Sequence, residues 1–529
     1  MRAVILIILA ALVMVGIWML PALFMGFPIY SPNLDEARLY LDTGVLAYGD
    51  GHFSAMVFAY LTRFIAWDNL LGWTFFSAIS LAAAVVALWW NLRTLSGACV
   101  AWCSIVIFGL MPIYFQQALT LTNYTLSYLF LFLSGGAFLM FFFKQRQVWL
   151  LMLSGVFFGI CLGLKEAFVL FIPWMAVSYV WTFRKKWKTA MTELFIFLAC
   201  AGVVVSLPVL PDALGPNKSV FERLATIFSM EQTKPIGEFY PDQYTYDFDK
   251  DWYEETVLAR RAQENRSFLD RIRGYNRLIL FDIGEQSFLF SVFNAIWLFV
   301  HQIPALFFVE TVGGVMMWLF ILPGAVYLFR SNRRVFWFFI GLILTSEFIL
   351  RFVLHYQRIH LMEYGWVLAL MGALGVVQLG QHLERYWPRV PVMYLLMAIL
   401  SLHLLQMNRL ELARLYNRST VPDRIAVAGV IKELPEESLI AVPTNYKNVA
   451  GMTGRDMTIF REETIERLLS NGKLSDAFHH YGVTHVLRYP EELTRQILRA
   501  DPSVSSLEIP PGKKPEVTPV MNYLLHLFR

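Results

Sequence analysis

Eleven stretches of this chain are apolar for about as long as a helix needs to cross a lipid bilayer. A spanning helix takes about 20 mainly apolar residues. Such runs lie near 4–29, 70–92, 97–117, 121–143, 148–164, 166–183 and 189–211; after a long polar stretch come four more, near 306–329, 335–353, 362–381 and 390–407. Composition agrees. The 529 residues are 57% hydrophobic and only 16% charged, where a soluble chain carries about 25% charged residues. A mean hydropathy of +0.51 over this length exceeds what one buried core can hold, so many segments must have lipid as their solvent. A soluble enzyme, a disordered chain and a secreted disulfide scaffold are excluded together. The expected fold class is mainly α: a polytopic membrane protein of about 11 transmembrane helices with a small C-terminal α/β domain.

The loops predict a direction. The first run is too long for a signal-peptide core and has no small-x-small cleavage site before Tyr30, so it is expected to stay as an anchor. With the N-terminus inside, every second loop is basic: Arg93; Lys144 and Arg146; Arg184, Lys185, Lys186 and Lys188; Arg330, Arg333 and Arg334; Arg385 and Arg389. The opposite loops carry acid, beginning with Asp35, Glu36, Asp42 and Asp50, and residues 212–285 hold 14 acidic against 10 basic side chains. By the positive-inside rule this places the acidic loops and the C-terminal region outside a plasma membrane. Two further apolar stretches, 53–67 and 286–303, are read as helices in the outer interface; were the second to cross, the tail would move to the cytoplasm. The expected domains are a transmembrane domain over 1–410, with outer loops 30–69 and 212–305, and a soluble extracytoplasmic α/β domain over 420–529.

In the tail, 437–443 and 483–489 read as short buried strands, residues 522–528 as a further strand, and 461–472, 474–482 and 490–498 as helices. Alternation of this kind predicts a layered α/β unit. No glycine-rich phosphate loop follows either strand. His479, His480 and His485 lack metal-ligand spacing and read as surface or structural residues. The four cysteines, Cys99, Cys103, Cys161 and Cys200, all fall in apolar runs and read as small buried hydrophobes. A net charge of +4 from 44 basic and 40 acidic residues gives no case for nucleic acid.

Ionisable residues at the membrane edge are costly, which makes them functional candidates. Four places stand out, all on the outer face. In the first outer loop, Asp35 and Glu36 follow a Pro-Asn turn, with Asp42 one face over and His52 further along. They suit either a capped, solvated helix or a general base. Lys165 and Glu166 interrupt apolar sequence between the fifth and sixth runs, where Lys165 can meet an anionic lipid headgroup. Arg351, His355, Arg358, His360 and Glu363 cluster at the outer ends of the ninth and tenth runs. Arginine grips phosphate through a forked pair of donors, or alternatively snorkels toward headgroups. Asn123 opens the fourth run. Carboxylates converging with phosphate-binding cations suit transfer from a lipid-linked phosphate donor.

This arrangement resembles the GT-C glycosyltransferases, and among them the polyprenyl-phosphate-sugar-dependent enzymes such as protein O-mannosyltransferases and the lipid A aminoarabinose transferase. Residues 33–44, NLDEARLYLDTG, are similar to their acidic first-loop motif, and 163–174, GLKEAFVLFIPW, to their lysine-containing hairpin. The resemblance implies Asp35, with Glu36 beside it, as catalytic. It implies Lys165, Arg351, His355 and Arg358 as donor-phosphate ligands, and Asn123, His52 and Glu166 as substrate-binding. Two departures stand out. Asn123 occupies a position where many of these enzymes carry Asp, and HFSAMVFAYL (52–61) replaces a Lys-Pro-Pro or His-Pro-Pro element. The implied function is a glycosyltransferase (hexosyl or pentosyl) that moves a sugar from a polyprenyl-phosphate donor of the undecaprenyl type to a glycan, lipid or protein acceptor on the extracytoplasmic face. Membrane lipids are its other partners. No cofactor is required by a motif, and Asp35, Glu36 and His52 leave a divalent cation open. The competing reading is a transporter or flippase of an anionic lipid-linked saccharide. Against it stand the absence of an internal repeat and the placing of charge at one face rather than along a crossing route.

Overall fold

A computed structural model describes residues 2–25, 53–66, 69–119, 123–143, 146–165, 168–169, 171–206, 312–352, 362–418, 421–435, 437–443, 457–460, 462–487 and 489–507. The eleven apolar segments are helical over most of their described residues: α1 (Arg2–Met25), α3 (Leu70–Ser96), the pair α4 (Ala98–Leu110) and α5 (Pro112–Leu119), α6 (Asn123–Phe143), α7 (Val148–Leu164), α8 (Phe171–Thr182), α9 (Trp187–Ser206), α10 (Gly314–Ser331), α11 (Arg333–Phe352), α12 (Met362–Glu384) and α13 (Val392–Arg418). By length and apolarity, 7 described helices are able to cross a bilayer, or 8 if the α4–α5 pair is one span. The others fall short for visible reasons. α7 has 17 residues and α8 only 12, and α11 carries Arg333, Arg334, Glu347 and Arg351 within its 20.

Packing follows from glycine. Where backbones must approach closely inside lipid, small residues line the seam. On α7, a Cβ at Gly155 would stand 2.5 Å from the Phe197 carbonyl oxygen, and one at Gly159 would stand 2.6 Å from that of Ala201 on α9. Gly324 of α10 sits against the Met371 carbonyl of α12, while Gly375 of α12 sits against that of Phe320. These reciprocal contacts bring α12 into the centre, where Val367, Ala369, Met371, Ala373 and Val376 are all buried. α1 is peripheral: Ile7, Met14 and Trp18 face the bundle, and Leu6, Leu9 and Val13 face outward.

The third apolar run departs from expectation. Read as one span over 97–117, it is broken at Met111, where α4 and α5 meet at 62°. Met111 is extended (φ −59°, ψ 130°). A residue before proline is disfavoured in the helical region, and Pro112 has no N–H to continue the ladder. The freed carbonyls find side-chain donors: Trp18 Nε1 donates to Gly109 O at 2.8 Å, and Asn408 Nδ2 donates to Leu110 O at 2.7 Å. Ser77 and Thr74 of α3 donate to the carbonyls of Gln117 and Leu119.

Trp73 near the start of α3, Leu126 near the start of α6 and Leu164 at the end of α7 meet in one apolar cluster, so Lys165, next to Leu164, lies at the end of the bundle opposite the turns that bear Arg93 and Arg146. The short helix α2 (Phe53–Leu61) is also at the Lys165 end. It is 9 residues long, too short to cross, and its Phe58 is edge-on to Trp73 and Phe76.

The tail forms α14 (Val421–Lys432), β1 (Leu439–Val442), β2 (Met457–Ile459), α15 (Glu462–Ser470), α16 (Leu474–Tyr481), β3 (Val483–Leu487), α17 (Glu491–Ala500) and β4 (Ser505–Leu507). The four strands are parallel in the order β2-β1-β3-β4. β2 and β4 add to the two strands expected from sequence that are described, and the strand expected over 522–528 lies outside the described residues. Side chains alternate across the sheet. Ala441 and Val486 join Ile465, Phe478 and Ile497 of α15–α17 on one face. Ile440, Val442 and Leu487 face the other way, into one apolar cluster with Val427 and Ile431 of α14 and with Phe58, Trp73, Leu126 and Leu164 of the helical bundle. The α/β unit is thus seated on the end of the bundle that bears Lys165.

Candidate functional site

Lys165 closes α7. Its extended backbone (φ −150°, ψ 108°) ends the helix, with its N–H bonded to Cys161 O at 2.9 Å. The half-buried side chain places Nζ over the ring of Tyr124, 5.3 Å from the centroid, a cation–π distance. Tyr124 is the second residue of α6, directly after Asn123, and both are buried. Asn123 therefore starts the helix in the interior rather than as a solvated cap, and Ser127 Oγ donates back to its carbonyl at 2.7 Å.

The Tyr124 hydroxyl donates to Glu363 Oε1 at 3.0 Å. Glu363 lies in the first turn of α12 and is fully buried. A carboxylate there is expensive in apolar surroundings, and it is placed where the amino end of a helix favours negative charge. Trp366 Nε1 donates to the Glu363 carbonyl at 3.0 Å. Around this pair lies an aromatic floor. Tyr114 and Tyr128 are hydrogen-bonded to each other, with rings 5.4 Å apart and edge-on. Phe168, just past Lys165, packs edge-on against Tyr124, Tyr128 and Phe171. Gly365 lets Tyr114 approach α12, since a Cβ there would be 2.5 Å from the phenolic oxygen. Trp174 Nε1, donating to Phe338 O at 2.8 Å, fixes α8 to α11 beside it.

Of the sequence-predicted residues, Lys165 and Glu363 both meet Tyr124, one at its ring and the other at its hydroxyl, and Asn123 is the residue before it in the chain. Arg351 lies in the last turn of α11, so its backbone is described and its side chain is not. Asp35, Glu36, His52, Glu166, His355, Arg358 and His360 lie outside the described residues, as does the apolar stretch 286–303. Among the described residues, no group of three or more His, Cys, Asp or Glu side chains is arranged to hold a metal. Sequence reading passed over Tyr124 altogether and noted Glu363 only within the Arg/His cluster. An acidic residue one position into an apolar helix was the signal available.

The chain is a polytopic helical bundle that carries short broken helices and a trailing α/β unit at one end, a fold found among solved membrane proteins. One solved structure with this architecture is the crystal structure of ArnT from Cupriavidus metallidurans bound to undecaprenyl phosphate. It is 11% identical in sequence, superposes with a TM-score of 0.52, and the match covers 96% of this chain and 90% of ArnT. Neither a family model nor a curated protein matches the sequence.

Proposed function

We propose that the chain is a glycosyltransferase that moves a sugar from a polyprenyl-phosphate carrier to an acceptor at the outer face of the plasma membrane. The observation that carries this reading is Lys165, a cation held against Tyr124 at the end of a GT-C bundle whose solved counterpart binds undecaprenyl phosphate. The α/β unit at the same end, opposite the basic turns, supports an extracytoplasmic tail.

In the proposed reaction, Asp35 takes the proton from the acceptor hydroxyl or amine as that atom attacks the anomeric carbon from the face opposite the phosphate. The bond between anomeric carbon and phosphate oxygen breaks with inversion, and the polyprenyl phosphate leaves with one more negative charge than it had as a diester. Lys165, Arg351, His355 and Arg358 meet that growing charge, so they stabilise the transition state more than the bound donor. Glu36 supports the loop beside the base, and Asn123, His52 and Glu166 contact substrate. The acceptor is a glycan, a lipid or a protein.

Binding of undecaprenyl phosphate to the purified protein in detergent tests the reading. Saturable binding is expected, weakened by Lys165→Ala about tenfold to a hundredfold, as befits a hydrogen bond to a charged group. Equal binding by the variant would remove Lys165 from the site.

A further inference from the structure

We propose that Cys99, Cys103 and Met393 form a binding site for a soft monovalent metal ion, copper(I), which clips α4 to α13. The site is separate from the donor site and independent of the reading of Lys165.

Three sulfur atoms come from two helices. Cys99 is the second residue of α4, and its Sγ lies 3.3 Å from Met393 Sδ on the second residue of α13, 294 positions away in the chain. Cys103 stands one turn further along α4 on the face of Cys99, and the two thiols are hydrogen-bonded. Neither is in a disulfide; Cys99 is exposed and Cys103 is buried. The set is thus open to an entering ion at one thiol and closed at the other. Burial as a small hydrophobe accounts for Cys103. It does not account for an exposed Cys99 set against a thioether from a distant helix.

The backbone beneath that thioether is fixed. Met393 N–H donates to Glu384 Oε1 at 3.2 Å, and a Cβ at Gly380 of α12 would stand 2.7 Å from Met393 Cα. Ligand sulfurs about 2.3 Å from a shared ion stand about 4 Å apart. Cys99 and Met393 therefore open by less than an ångström to admit it, within reach of two flexible side chains.

Donor type selects the metal. Thiolate and thioether sulfur together suit copper(I). Structural zinc takes four thiolate, imidazole or carboxylate ligands, and iron–sulfur clusters take four thiolates; among the described residues, no His, Asp or Glu completes such a set around these cysteines. On binding, two S–H bonds break, two S–Cu bonds form from the sulfur electron pairs, and two protons pass to solvent. The thioether adds a lone pair, and no electron is transferred. Cys99 follows the turn that bears Arg93, so the ion ties helices at the end of the bundle opposite Lys165, and occupancy stabilises the fold by mass action.

The test uses the purified, reduced full-length chain in detergent, with copper(I) buffered by a chromophoric chelator whose colour reports the copper it loses. Melting temperature is recorded with and without copper(I). Wild type should take a single copper(I) from the chelator and melt higher when loaded. Cys99→Ser and Cys103→Ser, which keep side-chain size, should each abolish both effects. Met393→Leu keeps volume without sulfur and should weaken retention about tenfold or more; it remains informative where a serine variant fails to fold. The double variant C161S/C200S should behave as wild type. Wild type that takes no copper(I), a Met393→Leu protein that retains it equally, or a loss shared by C161S/C200S would overturn the proposal. Retention of zinc(II) in preference to copper(I) would overturn the choice of metal.

Discussion

The Tyr124 hydroxyl and Glu363 Oε1 meet over 3.0 Å although 239 positions separate them in the chain. Their hydrogen bond joins the starts of α6 and α12 and holds the surface on which Lys165 rests. The end of the bundle that carries this pair also carries the α/β unit, so geometry there depends on packing throughout the helices.

Gly324→Ala should destabilise the folded protein by about 1–3 kcal/mol, the usual cost of overpacking. A methyl at this position meets the Met371 carbonyl and the Gly375 amide nitrogen. Backbone atoms cannot rotate aside as a flexible side chain would. Thermal unfolding of the full chain in detergent checks this, and an unchanged melting temperature would mean that α10 and α12 do not cross so closely.

Ser506, exposed on β4, reports the side on which the tail lies. In a background with Cys99, Cys103, Cys161 and Cys200 replaced, Ser506→Cys should react with a membrane-impermeant thiol reagent in intact cells or spheroplasts. Reaction only after permeabilisation would put the tail in the cytoplasm, with the lysine end of the bundle beside it.

His485 gives the tail a pH dependence. It sits on β3 with Nδ1 2.8 Å from Thr484 Oγ1, which donates to Leu439 O. Partial burial pushes its pKa below the ordinary value. The folded state therefore binds fewer protons than the unfolded chain in the window below about 6.5. Stability is full above that pH and falls as pH drops toward the depressed folded value. Wild type should lose more melting temperature between pH 7.5 and 5.5 than His485→Gln; equal losses would assign the dependence to other groups.

Much of this was legible because lipid imposes simple rules. The eleven apolar runs are helical over most of their described residues. The strands at 439–442 and 483–487 were readable from short apolar runs between turn signals. β2 and β4 were not: three residues are too few to display a period, and Ser505 and Ser506 are polar. The break at Met111 carried its signal in Pro112, but apolarity continues through it, and only the donors Trp18 and Asn408, far away in sequence, make it tolerable. Lys165 and Asn123 stood out as polar residues in apolar surroundings. The Tyr124–Glu363 pair did not, because no local spacing links residues on two distant helices.

The central claim is transfer from a lipid-phosphate donor with Asp35 as base, and turnover tests it most directly. Wild type, Asp35→Asn and Glu36→Gln are reconstituted in vesicles with undecaprenyl-phosphate-linked hexose or pentose and an envelope acceptor fraction, and released undecaprenyl phosphate is measured. Asp35→Asn keeps the side chain's size but cannot accept a proton near neutral pH. It should slow release by about 10²–10⁴, the usual contribution of a general base, while still binding undecaprenyl phosphate; Glu36→Gln should be milder. A dead Glu36→Gln beside a fully active Asp35→Asn would move the base one residue along. Equal release by all three would contradict the assignment of a base to this loop. Absence of release from wild type, with labelled lipid instead crossing the bilayer, would contradict the transferase account itself.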